Sequence, residues 1–158
     1  MKQILRDTIE KVPFLKSWVL DPLRNARLQR YYTSLLPLNE YDESTKMMWL
    51  GRIEKVKQSA DNQKIQKIAD AGRFKGPHLL MHNGLIIDPL SYYGAPVMRM
   101  LMENQAVHEP QEEYVFQEVL KQMPVGATMM ELGCYWGFYS MWFASKIKGA
   151  KNYLADNA

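Results

Sequence analysis

The stretch from residue 128 to residue 140 has the residue types and spacing of a cofactor-binding turn. An apolar run ends at Glu131, two glycines follow at Gly133 and Gly137, and a helical pattern starts directly after them. A parallel strand brings the chain to the carboxyl edge of a sheet, where glycine lets the backbone pass close to a ligand. The next helix points its free N–H groups towards the same place. The sequence therefore predicts a strand, turn and helix of a nucleotide-type cofactor pocket.

This turn resembles motif I of S-adenosylmethionine-dependent methyltransferases, and in particular that of the FkbM family. The family's turn reads acidic-x-Gly-Ala-Asn-x-Gly-x-x-Ser. This chain matches that pattern at Glu131, Gly133, Gly137 and Ser140. Tyr135 departs from it, because most members carry asparagine at that position. The turn itself requires only the two glycines.

The segment before the turn is also similar to this family. Residues 108–116 look like the helix that leads into the family's first strand, so the resemblance covers residues 92–158, under half of the chain. The fold that it implies is α/β, with the first βαβ unit of a Rossmann-like sheet. A complete sheet of this kind needs several more strand–helix units of about thirty residues each. We therefore expect the N-terminal part of a methyltransferase, with a truncated sheet.

The resemblance implies that the turn binds S-adenosylmethionine. Glu131 would hold the amino end of the cofactor, backbone N–H groups of residues 133–137 would approach its carboxylate, and Asp156 would bind its ribose. Asp156 stands about twenty residues after Gly137, the offset at which dinucleotide folds place such a carboxylate. The expected cofactor-binding residues are Glu131, Gly133, Cys134, Tyr135, Gly137, Ser140 and Asp156.

The implied reaction is O-methylation of a sugar or natural-product hydroxyl, so the expected partner is a small-molecule or glycan acceptor. Methyl transfer is an in-line displacement, for which a protein supplies orientation, exclusion of water and sometimes a base. Those residues normally come from later strands, so no catalytic residue is assigned. Two other functions stay open. One is a non-catalytic helical interaction module with a vestigial half-pocket, and the other is a fragment of an NAD-linked enzyme.

Composition limits the class of protein. The chain has 158 residues, of which 47% are hydrophobic and 23% charged, which suits a compact domain with a core. Residues 1–75 carry 15 Lys or Arg and 9 Asp or Glu, and because these charges are dispersed we expect no nucleic-acid partner. No apolar run approaches the roughly twenty residues of a membrane span.

The chain has a single cysteine, Cys134, which lies inside the glycine turn. A small residue suits close packing there, and no base stands near it in sequence, so we interpret Cys134 as a packing residue and not as a nucleophile. One cysteine cannot form an internal disulfide, and this argues for a reducing compartment. A cytoplasmic location is therefore expected.

Residues 1–75 are predicted to form a helical cap region. Proline, glycine and capping residues divide this region into segments with apolar residues at helical spacing. The predicted helices run over residues 2–12, from Pro22 to Leu36, from Asp42 or Ser44 past Val56, and from Asp61 to Gly72.

Residues 76–107 are predicted to hold a β-hairpin and a connecting segment, which starts with an irregular stretch over residues 92–96 that includes Gly94 and Pro96. Asn83 and Gly84 separate two apolar runs and favour a two-residue type I′ turn, in which both central residues have positive φ. His78 and His82 stand four apart, but on strands they would be too distant to share one ion. We therefore expect no metal site.

Residues 108–158 are predicted to start the cofactor domain. A helix begins near Pro110, with Glu112 and Glu113 at the positive end of its dipole. His108 and Glu109 either form a simple helix start or line the cofactor crevice. The predicted buried stripe of this helix is Tyr114, Val115, Phe116, Val119 and Leu120.

After this helix we expect a parallel strand–helix–strand unit with a right-handed crossover. Its predicted elements are a strand over residues 127–132, a helix over residues 138–146 and a strand over residues 152–155. Met141, Trp142, Phe143 and Ile147 should pack on the sheet. An exposed edge of the last strand would favour pairing with another chain, so self-association is expected.

Overall fold

The computed structural model describes residues 19–89 and 94–156. Within these ranges the chain is mixed α/β, with five α-helices and two small sheets. The helices are α1 (Asp21–Thr33), α2 (Glu43–Gln58), α3 (Gly94–Glu103), α4 (Pro110–Leu120) and α5 (Phe138–Lys146). The strands are β1 (Phe74–Lys75), β2 (His78–Leu80), β3 (Ile86–Ile87), β4 (Thr128–Leu132) and β5 (Lys151–Ala155). No helix in the described ranges is both long and apolar enough to cross a membrane.

Helix α1 begins as predicted but ends earlier. Pro22 lies in its first turn, and the helix stops at Thr33 instead of continuing to Leu36. Ser34 adopts an extended backbone, and its hydroxyl donates to the Tyr31 carbonyl at 2.7 Å. A serine side chain that bonds the preceding turn competes with the next helical hydrogen bond, so the helix ends here.

Helix α2 is confirmed where the sequence predicted it. Asp42 is its N-cap, and the carboxylate accepts a hydrogen bond from the Thr45 N–H at 3.0 Å. The Thr45 hydroxyl donates to the other carboxylate oxygen at 2.6 Å. Each bond satisfies a group at the helix start, which fixes the position of the first turn.

The other two helices predicted in the first region have different outcomes. The helix over residues 2–12 lies outside the described residues. The prediction of a helix over residues 61–72 is wrong, because only a 3₁₀ turn at Asp61–Gln63 forms there. The Ile68 N–H donates to the His82 carbonyl at 3.1 Å, so part of this segment bonds to the hairpin, and its internal bonds, such as that from the Ala71 N–H to the Ile68 carbonyl at 3.1 Å, form isolated turns.

The hairpin is confirmed, but its turn type is not. Strands β2 and β3 pair antiparallel with Leu80 opposite Ile86, and β1 adds a third strand. The Gly84 N–H donates to the Met81 carbonyl at 3.0 Å, and Gly84 has a φ of +91°, whereas Asn83 keeps a negative φ. The loop is therefore a type I turn followed by a left-handed glycine, the usual three-residue hairpin loop.

Helix α3 lies in the core, where the sequence predicted an irregular start to the connection. Its buried residues are Pro96, Val97, Met98, Met100, Leu101 and Met102. The helix packs on both α1 and α2. Gly72 allows the segment before β1 to approach it, because a Cβ at Gly72 would lie 2.8 Å from the Leu101 carbonyl oxygen.

The predicted strand–helix–strand unit is confirmed as a parallel pair. Thr128 lies opposite Lys151, Leu132 lies opposite Ala155, and α5 packs on both strands. Each strand starts one residue away from its predicted start. Trp142, Phe143 and Ile147 are buried as expected, whereas Met141 is 38% exposed.

Helix α4 buries its predicted face only in part: Tyr114, Phe116 and Leu120 are half-buried and pack against the core. Val115 and Val119 are 59% and 41% exposed, whereas Glu113 and Gln117 are buried. Burying a carboxylate is costly unless it has partners. The partners of Glu113 explain why this polar face turns inward, and they are described below.

Candidate functional site

The turn between β4 and α5 has the left-handed backbone that its glycines predicted. Gly133, Tyr135 and Gly137 have φ values of +65°, +43° and +69°. Glycine adopts this conformation without steric cost, whereas tyrosine does not. Tyr135 therefore holds a strained backbone in the middle of the turn, and its side chain is 57% exposed.

The backbone above Gly133 is open. A Cβ built on Gly133 would meet no atom of the described residues within 4 Å. At Gly137 a Cβ would lie 2.8 Å from Leu154 Cδ2, so this glycine allows β5 to pack against the turn. The two glycines thus have different roles: Gly133 leaves bare main chain at the sheet edge, and Gly137 permits close packing.

Three N–H groups of the turn are used inside the protein. The Gly133 and Cys134 N–H groups donate to the Ala155 carbonyl at 2.8 Å and 3.2 Å, and the Gly137 N–H donates to the Cys134 carbonyl at 2.6 Å. The expectation that backbone N–H groups of residues 133–137 approach a cofactor carboxylate therefore does not extend to these three. Cys134 is a half-buried free cysteine.

Glu131 is held by the start of α5. Its Oε2 accepts a hydrogen bond from the Ser140 N–H at 2.9 Å, which satisfies one of the unpaired donors of the helix N-terminus. Ser140 itself is 2% exposed, and its carbonyl accepts from Asn152 Nδ2 at 2.6 Å. The structure thus places Glu131 beside the turn and Ser140 beneath it.

Asp156 stands next to the turn. It directly follows Ala155, whose carbonyl receives the two turn N–H groups, and its side chain is exposed. Of the predicted cofactor-binding residues, Glu131, Gly133 and Asp156 therefore lie together at the carboxyl ends of β4 and β5.

A groove of about 510 Å³ runs from Glu131 along β4 and α4. Its lining residues are Gln111, Glu112, Val115, Phe116, Val119, Met129, Met130, Glu131 and Tyr139. Most of them are apolar or aromatic, as is usual in small-molecule sites. The groove explains why Val115 and Val119 are not buried by the described residues.

A second polar cluster lies behind the turn and was not predicted. Glu113 is completely buried between two histidines: His82 Nε2 lies 2.6 Å from Glu113 Oε2, and His108 Nδ1 lies 2.8 Å from Glu113 Oε1. The N–H groups of His108 and Glu109 also donate to Oε1, both at 2.8 Å. Glu113 therefore caps the start of its own helix and joins that helix to the hairpin.

The partners of Glu113 outweigh the cost of burying it. Burial alone would raise its pKa, but hydrogen bonds and charges from His108 and His82 hold the pKa far below its usual range. Burial likewise lowers the pKa of His108, but the hydrogen bond and charge of Glu113 raise it overall. The cluster is thus a buried ionic pair with a second imidazole attached.

Aromatic rings connect this cluster to the turn. The His108 ring lies 4.9 Å from the Phe138 ring, and the His82 ring lies 4.9 Å from the Trp142 ring. Trp136, which belongs to the turn, stacks on Phe138 at 5.1 Å. One interpretation of the sequence had His108 lining the cofactor crevice. In the structure His108 is buried beside Trp136 and is not exposed at the sheet edge.

Glu109 and Tyr139 form the outer part of this arrangement. The Tyr139 hydroxyl donates to Glu109 Oε2 at 3.2 Å, and burial together with nearby carboxylates raises the pKa of Tyr139 far above its usual range.

Within residues 19–89 and 94–156 no group of three or more His, Cys, Asp or Glu side chains is arranged to hold a metal ion.

The chain matches no protein-family description, no curated protein and no solved structure.

Proposed function

We propose that this chain carries the cofactor half of an S-adenosylmethionine-dependent methyltransferase of the FkbM type. Its Rossmann-like sheet would be completed by further strands beside β4 and β5. The reaction would be O-methylation of a hydroxyl on a small-molecule or glycan acceptor. The chain's single cysteine supports a cytoplasmic location, where thiols stay reduced.

One observation carries this proposal. At the carboxyl edge of a parallel strand pair, bare main chain at Gly133 lies beside the strand ends that carry Glu131 and Asp156. Ligands of open α/β sheets bind at this edge. A cationic amino group and a ribose both suit carboxylate partners, because a carboxylate accepts hydrogen bonds from N–H and O–H donors.

The structure supports a specific role for each of these groups. The Ser140 N–H fixes one oxygen of Glu131, so its carboxylate is oriented before a ligand arrives, and its other oxygen can accept from an ammonium group. Asp156 is exposed and can accept from ribose hydroxyls. When bound, the cofactor would supply an activated methyl group. The chain's part would be to bind and orient it.

Titration calorimetry with S-adenosylmethionine, S-adenosylhomocysteine and NAD tests the proposal. We expect the two sulfur compounds to bind and NAD not to bind. Gly133→Val should weaken their binding at least about tenfold, because its side chain would occupy the open space above the turn. Gly126→Val is the matched control, since Gly126 also has a positive φ and no neighbour within 4 Å but lies at the opposite end of β4.

Binding of NAD alone would contradict the methyltransferase assignment. Equal loss of binding in the Gly133 and Gly126 variants would also contradict it, because the loss would then come from backbone strain and not from the turn. Both variants need unfolding curves measured alongside, so that a loss of fold is distinguished from a loss of site.

A non-catalytic interaction module is the second candidate. It is supported by the Ala155 carbonyl, which takes up two of the turn's N–H groups, and by exposed apolar side chains along β4 and α4. Met130 and Leu132 of β4 are 64% and 74% exposed. A folded chain that binds none of the three compounds would favour this candidate.

A further inference from the structure

A second cavity shares no lining residue with the groove beside β4. It has a volume of about 450 Å³ and is bounded by the segment after α2, the hairpin turn, α4 and the last turn of α5. Its lining residues are Gln66, Lys67, Ile68, His82, Asn83, Gln117, Leu120, Lys121, Trp142 and Lys146. None of the predicted cofactor-binding residues is among them.

The lysines are the charged side chains that line this cavity. Three lysines line it, and no aspartate or glutamate among the described residues does. Lys121 pairs with Glu118 at 2.6 Å, and Lys67 donates to the Asn62 carbonyl. Lys146 forms no ion pair with the part of the chain that the structure describes, so its charge is available to a ligand.

Two buried nitrogen atoms of the lining lack protein partners. His82 is 1% exposed, and while its Nε2 faces Glu113, its Nδ1 has no hydrogen-bond partner among the described residues. Asn83 Oδ1 accepts from the Leu85 N–H at 3.1 Å, which fixes the orientation of the amide and leaves Nδ2 without a partner. Buried polar groups without partners are rare and costly, so both atoms point to a ligand.

The atoms left without partners indicate the class of ligand. Nε2 of His82 lies 2.6 Å from Glu113 Oε2, so Nδ1 is the ring nitrogen left for a group in the cavity. A phosphate near neutral pH exists both with and without an O–H, since its second pKa is about 6. It can therefore either donate to or accept from Nδ1 of His82 while it accepts from Asn83 and the lysines, whereas sulfate can only accept.

We propose that this cavity binds a phosphate group, carried by a small molecule whose apolar part packs on Trp142 and Leu120. The cavity is larger than an inorganic ion and within the usual range of small-molecule sites. The donors come from four different segments, which suits a tetrahedral group with oxygens in several directions. This proposal is independent of the methyltransferase assignment.

Nitrogen-15 NMR of the histidine side chains tests it in the full chain, which has three histidines. Inorganic phosphate is titrated at constant ionic strength, with sulfate, acetate and chloride as comparison ions. We expect a saturable movement of the His82 Nδ1 signal with phosphate, while His78, which is exposed and does not line the cavity, stays unchanged.

Two variants separate the site from general charge effects. Asn83→Asp keeps the acceptor for the Leu85 N–H but replaces the free donor with a negative charge, and should weaken phosphate binding at least about tenfold. Lys146→Gln should weaken it about threefold to tenfold. Lys148→Gln removes an exposed lysine two residues further on that does not line the cavity, and should change the affinity less than about twofold.

The proposal is overturned if the His82 signal does not respond to phosphate, or if sulfate and acetate move it equally, which would indicate charge screening. An equal effect of Lys146→Gln and Lys148→Gln would overturn it as well. Dispersed backbone spectra of each variant show that it is folded.

Discussion

Glu113 is the residue on which most of the buried polar contacts converge. A carboxylate with no exposed surface accepts from two backbone N–H groups and lies within 2.8 Å of two imidazoles. Such a group stabilises a fold only while its partners are in place. It links α4, the hairpin and the loop before α4, which are separate segments of the chain.

Replacing Glu113 by glutamine should destabilise the protein by about 3 kcal/mol, because the His108 imidazole then loses its counter-charge inside the core. Urea unfolding followed by tryptophan fluorescence measures the loss. Glu112→Gln is the matched control: Glu112 precedes Glu113 but is exposed, so its replacement should cost less than about 0.5 kcal/mol. Equal costs for the two variants would show that the buried cluster contributes nothing.

The free energy of unfolding should be greatest at an intermediate pH and should fall on both the acid and the alkaline side of it. The folded pKa of Glu113 lies below its ordinary 4.5, so its contribution is present above that pH and is lost as the pH falls through the folded value. The folded pKa of His108 lies above its ordinary 6.5, so its contribution is complete below 6.5 and is lost as the pH rises through the folded value.

Melting temperatures measured across this range should therefore peak between about pH 4.5 and 6.5. His108→Gln should remove the decline on the alkaline side, whereas the same change at the exposed His78 should leave it in place. An alkaline decline that persists in the His108 variant would assign it to other groups.

The sequence could not have identified this cluster. Glu112 and Glu113 are neighbours of the same type, and only the rotation of α4 decides which one is buried. His82 and His108 are 26 positions apart and meet only when the hairpin packs on α4. Glu131, in contrast, was predicted next to the turn, because adjacent residues of a strand and its turn stay together in the fold.

The turn between β4 and α5 is an element that local sequence predicted well. Glycines at positions 133 and 137 have the positive φ that the turn requires, and α5 has its predicted bounds. The connection before α4 was predicted poorly. Gly94 and Pro96 indicated irregular chain, but both residues lie within the first three positions of α3, where a helix tolerates them.

Tyr135→Asn should stabilise this turn by about 0.5–1 kcal/mol, because asparagine tolerates a left-handed backbone better than tyrosine does. Thermal unfolding measures the gain. Tyr135→Phe keeps the same backbone restriction and is the control, with little change expected. If the methyltransferase assignment holds, the asparagine variant also restores the residue typical of the FkbM turn and should bind S-adenosylmethionine at least as tightly as the unmodified chain.

At the scale of the whole molecule, apolar side chains are unevenly distributed. The hairpin, α2 and α3 form one buried core, whereas β4 and β5 pair only with each other among the described residues. A sheet of two strands has an unpaired edge on each strand. The exposed apolar side chains of β4 include Met130 and Leu132. Exposed strand edges with apolar side chains pair readily with other chains.

We therefore expect concentration-dependent self-association in sedimentation equilibrium. Met130→Lys should raise the dissociation constant at least about tenfold, because a charge would lie at the exposed edge and in the apolar groove. Met47→Lys is the control, since Met47 on α2 is similarly exposed, at 59%, but lies away from the sheet. A chain that is monomeric at all concentrations would contradict this expectation.

The hydrogen bonds from Gly133 and Cys134 to the Ala155 carbonyl have a consequence for the order of folding. The turn precedes β5 in the chain, yet its shape depends on an acceptor at the end of β5. During synthesis these two hydrogen bonds therefore cannot form until residue 155 has been added, whereas the bond from the Gly137 N–H to the Cys134 carbonyl can form earlier. In the finished protein, amide exchange at Gly133 and Cys134 should report how often the final strand detaches, because each detachment breaks the two hydrogen bonds that protect these amides.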